Sequence, residues 1–227
     1  MNKRYIVGAI VAAVVVVGVL VGVSLAGRSS DKTVSAISGA SAVKAEFAEL
    51  PQSGSTVGKA DAPVEIVEYG DTSCPICRDS SKTTTPEILK QFVRTGKAKL
   101  TFRPVAFISP SSERGALGAE AAAMQNAIWP FVHLIYANQG PETKDWLSDS
   151  LMKEAVTKLG LDVAKWQKDY DSEAVASAFF KADTDWKAAG GTGTPTFVIT
   201  GPRGTKVFNG ARGISAFQDA IAQVGPV

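Results

Sequence analysis

Apolar and polar positions change their spacing several times along this chain, and each change marks an element. Residues 5–26 are an uncharged apolar run rich in Val, Ala and Gly. As a helix that run spans about 33 Å, enough to cross a bilayer core. It is longer than the apolar core of a secretory signal, which favours an uncleaved transmembrane anchor, although Ser24-Leu25-Ala26 resembles a small-residue cleavage site. Residues 1–4 form a stub before it. Residues 27–55 turn Ser-, Ala- and Gly-rich and read as a stem or linker. Phe47 and Leu50 are the exceptions in that stretch, and would suit an edge strand packed on the domain that follows.

A β-rich run over residues 64–69 feeds a helix that begins at Cys74. A polar segment broken by Pro86 leads to a helix over residues 87–94, closed by Gly96. Residues 99–108 predict the next strand, with Leu100, Phe102 and Val105 interleaved by Thr101 and Arg103 until Pro104 and Pro110 punctuate it. Residues 112–189 are almost wholly helical in composition, divided at Trp129-Pro130, Gly140-Pro141 and Gly160. Strand character returns over 196–200 and 206–209, which flank Gly201-Pro202-Arg203-Gly204 as a hairpin would. A last helix is predicted over 215–224. The order βαβ, helices, ββα makes residues 56–227 an α/β domain with a helical insertion at about 112–189.

The domain is long enough to bury close to 70% of its unfolded surface and needs no staples. A net charge of +2 with acids and bases interspersed leaves no basic stripe, so nucleic acid is not an expected partner. The lysines and arginines flanking the apolar run nearly balance, so they do not fix its orientation. Four residues cannot hold a domain, however, and stable disulfide chemistry needs an oxidising compartment. The expected arrangement is a single-pass cell-membrane protein with its N-terminus cytoplasmic and its domain extracytoplasmic.

The only two cysteines stand in Cys74-Pro75-Ile76-Cys77. Three residues apart at a helix start, they lie one turn apart and within reach of a bridge. So short a ring adds little stability, and reversible redox chemistry is the better explanation. Cys74 is expected at the N-cap with Pro75 at the first helical position. Its sulfur then faces free backbone N–H groups, which stabilise a thiolate and make Cys74 an exposed nucleophile. Cys77, one turn deeper, is expected to resolve the mixed disulfide. Ile76 lacks the positive charge that a histidine there would place beside the thiolate. Glu68, at the end of the preceding strand, is positioned to shuttle the Cys77 proton, unless it is a partly solvated strand-end carboxylate. Thr194-Pro195 enters a strand, a plausible place for a cis peptide.

With these residues in view, the chain resembles the DsbA-like thiol–disulfide oxidoreductases of the thioredoxin superfamily over residues 57–222. The resemblance is carried by Asp61-Ala62-Pro63-Val64, Glu68-Tyr69, Cys74-Pro75-Ile76-Cys77, Thr95-Gly96-Lys97, residues 129–139, Leu159-Gly160-Leu161-Asp162 and Gly193-Thr194-Pro195-Thr196-Phe197, in the family's order. It implies a thioredoxin fold with an inserted helical domain, and Glu68 in the family's acidic position. Thr194-Pro195 becomes the cis-proline loop beside the cysteines, and Pro75, Ile76, Thr194 and Pro195 become substrate contacts. It further implies oxidation of cysteine pairs in secreted or envelope polypeptides, and a quinone-linked membrane partner of the DsbB or vitamin K epoxide reductase-like type for reoxidation. No cofactor or metal is expected beyond the redox disulfide. Ile76 departs from the strongly oxidising Cys-Pro-His-Cys pattern.

A reductase or isomerase of the same fold is the nearest alternative, and a tethered binding module with an idle disulfide is another. His133 and the four tryptophans read as packing residues, with no aromatic platform implied. One His and two Cys do not complete an ordinary structural zinc site.

Overall fold

The computed structural model describes residues 37–227. The expected stub 1–4 and transmembrane segment 5–26 lie outside the described residues, as does the first part of the expected stem. Among the described residues no helix is long and apolar enough to cross a membrane.

The second part of the expected stem belongs to the folded body. Helix α1 (Ala40–Phe47) follows Gly39, whose φ of 86° suits a residue without Cβ, and it buries Val43 and Phe47. Those two are four residues apart, one face of a helix, so the edge strand expected around Phe47 and Leu50 does not form. The Phe47 ring meets His133 edge-on at 4.8 Å and lies 6.2 Å from Trp129. Burying a phenylalanine this way contributes about 2–3 kcal/mol. Arg94 donates to the Glu46 and Ala48 carbonyls and pins the end of this helix.

Two very short strands follow, β1 (Gln52–Ser53) and β2 (Thr56–Val57), then β3 (Val64–Gly70). Helix α2 (Pro75–Thr83) carries the cysteines and runs into α3 (Thr85–Ile88), which widens into a π-helical turn over Leu89–Val93. Strand β4 (Ala98–Pro104) pairs parallel with β3, in register from Val64↔Ala98 to Gly70↔Pro104. It stops four residues short of the expected 108, because beyond Pro104 the Phe107 and Ile108 N–H groups turn to the Asp71 carboxylate.

The insertion comprises α4 (Pro110–Ala123), α5 (Ile128–Ala137), α6 (Asp149–Leu159), α7 (Val163–Tyr170) and α8 (Glu173–Ala188). Trp166 is fully buried and donates to the Gly118 carbonyl at 3.0 Å, holding α7 on α4. Trp129 donates to Ser55 and Leu100 carbonyls, both at 3.2 Å, which seats α5 against β4 and the loop before β2.

Strands β5 (Thr196–Gly201) and β6 (Gly204–Asn209) form the expected hairpin, and α9 (Ile214–Val224) packs Phe217 against Phe197 and Phe208. The sheet order is β1-β2-β4-β3-β5-β6, with β5 antiparallel to β3. The C-terminal end of β3, the start of α2 and the entry to β5 therefore converge. That junction is where the sequence concentrates its chemistry.

Candidate active site

Cys74 caps α2 in an extended conformation, φ −77° and ψ 116°, with Pro75 as the first helical residue. The Cys77 N–H donates to Cys74 Sγ at 3.2 Å. The Thr194–Pro195 peptide is cis. Cys74 Sγ donates to the Thr194 carbonyl oxygen at 3.4 Å. Both cysteines are free thiols. The expected exposed nucleophile is corrected: Cys74 is only 3% accessible, because the loop containing Thr194 lies over it, and Cys77 is fully buried.

The electrostatics separate the two sulfurs. The Cys74 thiol is lowered to about 6, chiefly because the Cys77 side chain hydrogen-bonds to it. Burial opposes this, and the Thr194 side chain and then the N–H groups of Cys77 and Ile76 add to it. Cys77 is pushed well above an ordinary thiol, first by burial and then by its bond to Cys74 and the charges of Cys74 and Glu68. Glu68 faces the core with Val64 and Ile66 on β3 and is 2% accessible, so the solvated strand-end alternative does not hold. Its carboxyl is raised to about 8, by burial first and then by the Cys74 charge.

A second carboxylate organises the approach to α2. Asp71 is fully buried and accepts the Ser73 N–H at 2.8 Å and the Phe107 and Ile108 N–H groups at 3.0 and 3.2 Å. It ties the loop after β4 to the loop before α2. Ser109 Oγ, at the head of α4, donates to Ser73 Oγ at 2.8 Å. From α5 the Tyr136 hydroxyl donates to the Asp71 carbonyl, and Gln139 Nε2 donates to the carbonyls of Thr72 and Cys74. Sequence reasoning missed these supports, since most of them reach the loop from segments remote in sequence, and several act on backbone atoms.

Helix α4 approaches this loop so closely that a Cβ on Gly115 would lie 2.0 Å from Thr72 Oγ1. Alanine in a helix interior gains about 1 kcal/mol over glycine, whereas overpacking costs about 1–3 kcal/mol. Gly115→Ala is therefore expected to destabilise the chain by up to about 2 kcal/mol in urea unfolding. Equal or greater stability would show that the contact relaxes freely.

Ile76, 53% accessible, stands on the outer side of the motif. Trp129 and Trp166 are buried as expected, but Trp186 is half-buried. It stacks on Phe107 with centroids 5.3 Å apart and planes 10° from parallel, and donates to Thr196 Oγ1 at 3.1 Å, just after Pro195. Phe107 is itself 53% accessible, so an aromatic pair does border the site. His133 is buried, with Nδ1 3.1 Å from Glu46 Oε2. Among the described residues no cluster of His, Cys, Asp and Glu is arranged to hold a metal ion.

Comparison with known proteins agrees with this geometry. The family described as Thioredoxin matches residues 52–223. The Bacillus cereus protein named probable disulfide bond formation protein D is 32% identical over 152 residues, covering 64% of this chain and 69% of that protein. Disulfide bond formation protein D of Bacillus subtilis is 31% identical over 134 residues, covering 57% and 59% respectively. Among solved structures, oxidised BdbD from Bacillus subtilis is similar in fold, with a TM-score of 0.66 at 24% identity over 76% of this chain and 95% of that one.

Proposed function

We infer the activity from the family: the chain belongs to the thioredoxin family and is a thiol–disulfide oxidoreductase that oxidises cysteine pairs through Cys74 and Cys77. One observation carries the assignment of roles: Cys74 Sγ lies between the leading amides of α2 and the Thr194 carbonyl, with Cys77 directly beneath it. In the forward direction a client thiolate attacks Sγ of Cys74 in the enzyme disulfide. The S–S bond breaks and Cys77 leaves as a thiolate. Because Cys77 holds its proton tightly, that thiolate takes one at once, and the neutral Glu68 carboxyl is the nearby source. A second client thiolate then attacks the client sulfur of the mixed disulfide and releases Cys74 as a stabilised thiolate. The client loses two electrons and its two thiol protons; one proton restores the Glu68 carboxyl, the other goes to solvent, and the reduced enzyme holds a Cys77 thiol beside a Cys74 thiolate.

Pro75, Ile76, Thr194 and Pro195 frame the path to Sγ and are the proposed client contacts. An extended client segment pairs with the backbone at Thr194 in the manner of an added strand. The clients are reduced secreted or envelope polypeptides. Reoxidation falls to a membrane partner of the DsbB or vitamin K epoxide reductase-like type, with residues 5–26 as the anchor that keeps both at one surface.

The direction of flow is read by equilibrating the Cys74–Cys77 pair with glutathione. A thiol held near 6 favours the dithiol form, so the potential is expected to lie well above the roughly −270 mV of thioredoxin. A value at or below that level would assign the reductase role instead. Ile76→His, which adds a partial positive charge beside the thiolate, is expected to raise the potential further, and an unchanged or lower value would remove the electrostatic account.

A further inference from the structure

The loop entering α2 presents its carbonyl oxygens toward the insertion, and one side chain there serves two of them. Gln139 Nε2 lies 2.8 Å from the Thr72 oxygen and 3.1 Å from the Cys74 oxygen. An amide NH₂ has two hydrogens, so both bonds form at once only when the two carbonyls turn to the same side. Pro75 has no N–H, so the Cys74–Pro75 peptide is oriented through its oxygen alone. That oxygen accepts from Arg78 N at 3.1 Å, the first bond of α2, and from Gln139. The orientation of this peptide sets ψ of Cys74, and with it where Sγ stands relative to the Cys77 N–H.

We propose that Gln139 is a positioning residue for the reactive sulfur: its side-chain amide locks the Cys74 carbonyl and so holds Sγ over the leading amides of the cysteine helix. Tyr136, one turn earlier, steadies the same loop through the Asp71 carbonyl. The insertion thereby tunes the chemistry of a sulfur it does not touch. This inference rests on the redox reading of Cys74 and Cys77.

The test uses the full-length chain. Gln139→Met keeps the side chain's length without a donor, and Gln139→Asn keeps the amide but stops one carbon short of spanning both oxygens. Thiolate absorbance near 240 nm is followed against pH, and the glutathione equilibrium is measured at pH 7. In the wild type the Cys74 midpoint is expected at about 6. Both variants are expected to raise it by roughly half a unit to one unit, and to lower the oxidising equilibrium constant about two- to fivefold. A purely packing role predicts a lower melting temperature with an unmoved midpoint and equilibrium, and that result overturns the proposal. Should Gln139→Met fail to fold, the milder Gln139→Asn decides by the same two readings. A wild-type chain that forms no glutathione-exchangeable disulfide overturns the redox reading along with this one. A normal wild type with unshifted variants overturns this one alone.

Discussion

Cys77→Ser is expected to accumulate a stable mixed disulfide with a client, whereas Cys74→Ser forms none, and disulfide transfer falls by roughly a thousandfold or more in each. The asymmetry follows from the two environments. With the Cys74 thiol at about 6, most of that sulfur is thiolate at pH 7, while Cys77, pushed far up, is almost wholly protonated. Offered a client disulfide, the Cys74 thiolate attacks one client sulfur, and the other leaves as a thiolate. Serine at 77 has no sulfur with which to displace the first, so the adduct persists. Serine at 74 removes the ionised nucleophile and leaves a protonated thiol buried one turn deeper. Non-reducing electrophoresis with mass spectrometry of the adduct distinguishes the two. Equal adduct yield from both variants would refute the division of labour.

Glu68→Gln should stabilise the fold while slowing the chemistry. The carboxyl titrates near 8 in the folded chain against 4.5 for its ordinary value, with burial the main cause. An acid raised on folding supports the folded state fully below its unfolded pKa, and that support drains away as pH climbs from about 4.5 to 8. Cys74 has the opposite sign, since its support is complete above about 9 and is lost as pH falls through about 6. The two slopes oppose each other between 6 and 8 in the dithiol form, so the disulfide form isolates the carboxylate. There the Cys74 charge is gone and burial alone raises the carboxyl, so Glu68→Gln is expected to flatten the fall in stability above pH 4.5 and to leave the variant more stable than the parent at pH 8, by less than the full linkage because the amide also needs partners. Release of Cys77 should slow about ten- to a hundredfold at neutral pH. Urea unfolding across the pH range and stopped-flow exchange measure the two effects. A retained stability slope would show that Glu68 is not the titrating group, and unaltered exchange would remove it from the proton path.

The catalytic motif and the strands that place it were legible because their signals are local. Cys74-Pro75 announces a helix start through the ring of proline and the position of the sulfur. Val64, Ile66 and Glu68 occupy alternate positions of β3, so the strand's own period puts a carboxylate on the buried face. The cis-proline loop needed the distant cysteines to give it meaning. What was not legible depends on partners remote in sequence. In α1, Val43 and Phe47 carry the packing in a Ser- and Ala-rich stretch whose composition resembles a stem. Two-residue strands such as β1 and β2 are too short to show any period. Gln139 and Asp71 act on backbone groups, which leave no trace in residue type. The covering of Cys74 comes from Thr194, 120 residues later, and no spacing rule within the motif reports it.

Helix α1 decides where the chain can be trimmed. The folded body is fastened from Ile37 onward, where the Ser38 N–H donates to Asn138 Oδ1 and Asn138 Nδ2 donates to the Ser38 carbonyl, beside Gln139. A truncation at residue 55, the boundary that composition alone suggests, would strip Phe47 from its place against His133 and Trp129 and leave that apolar face bare to water.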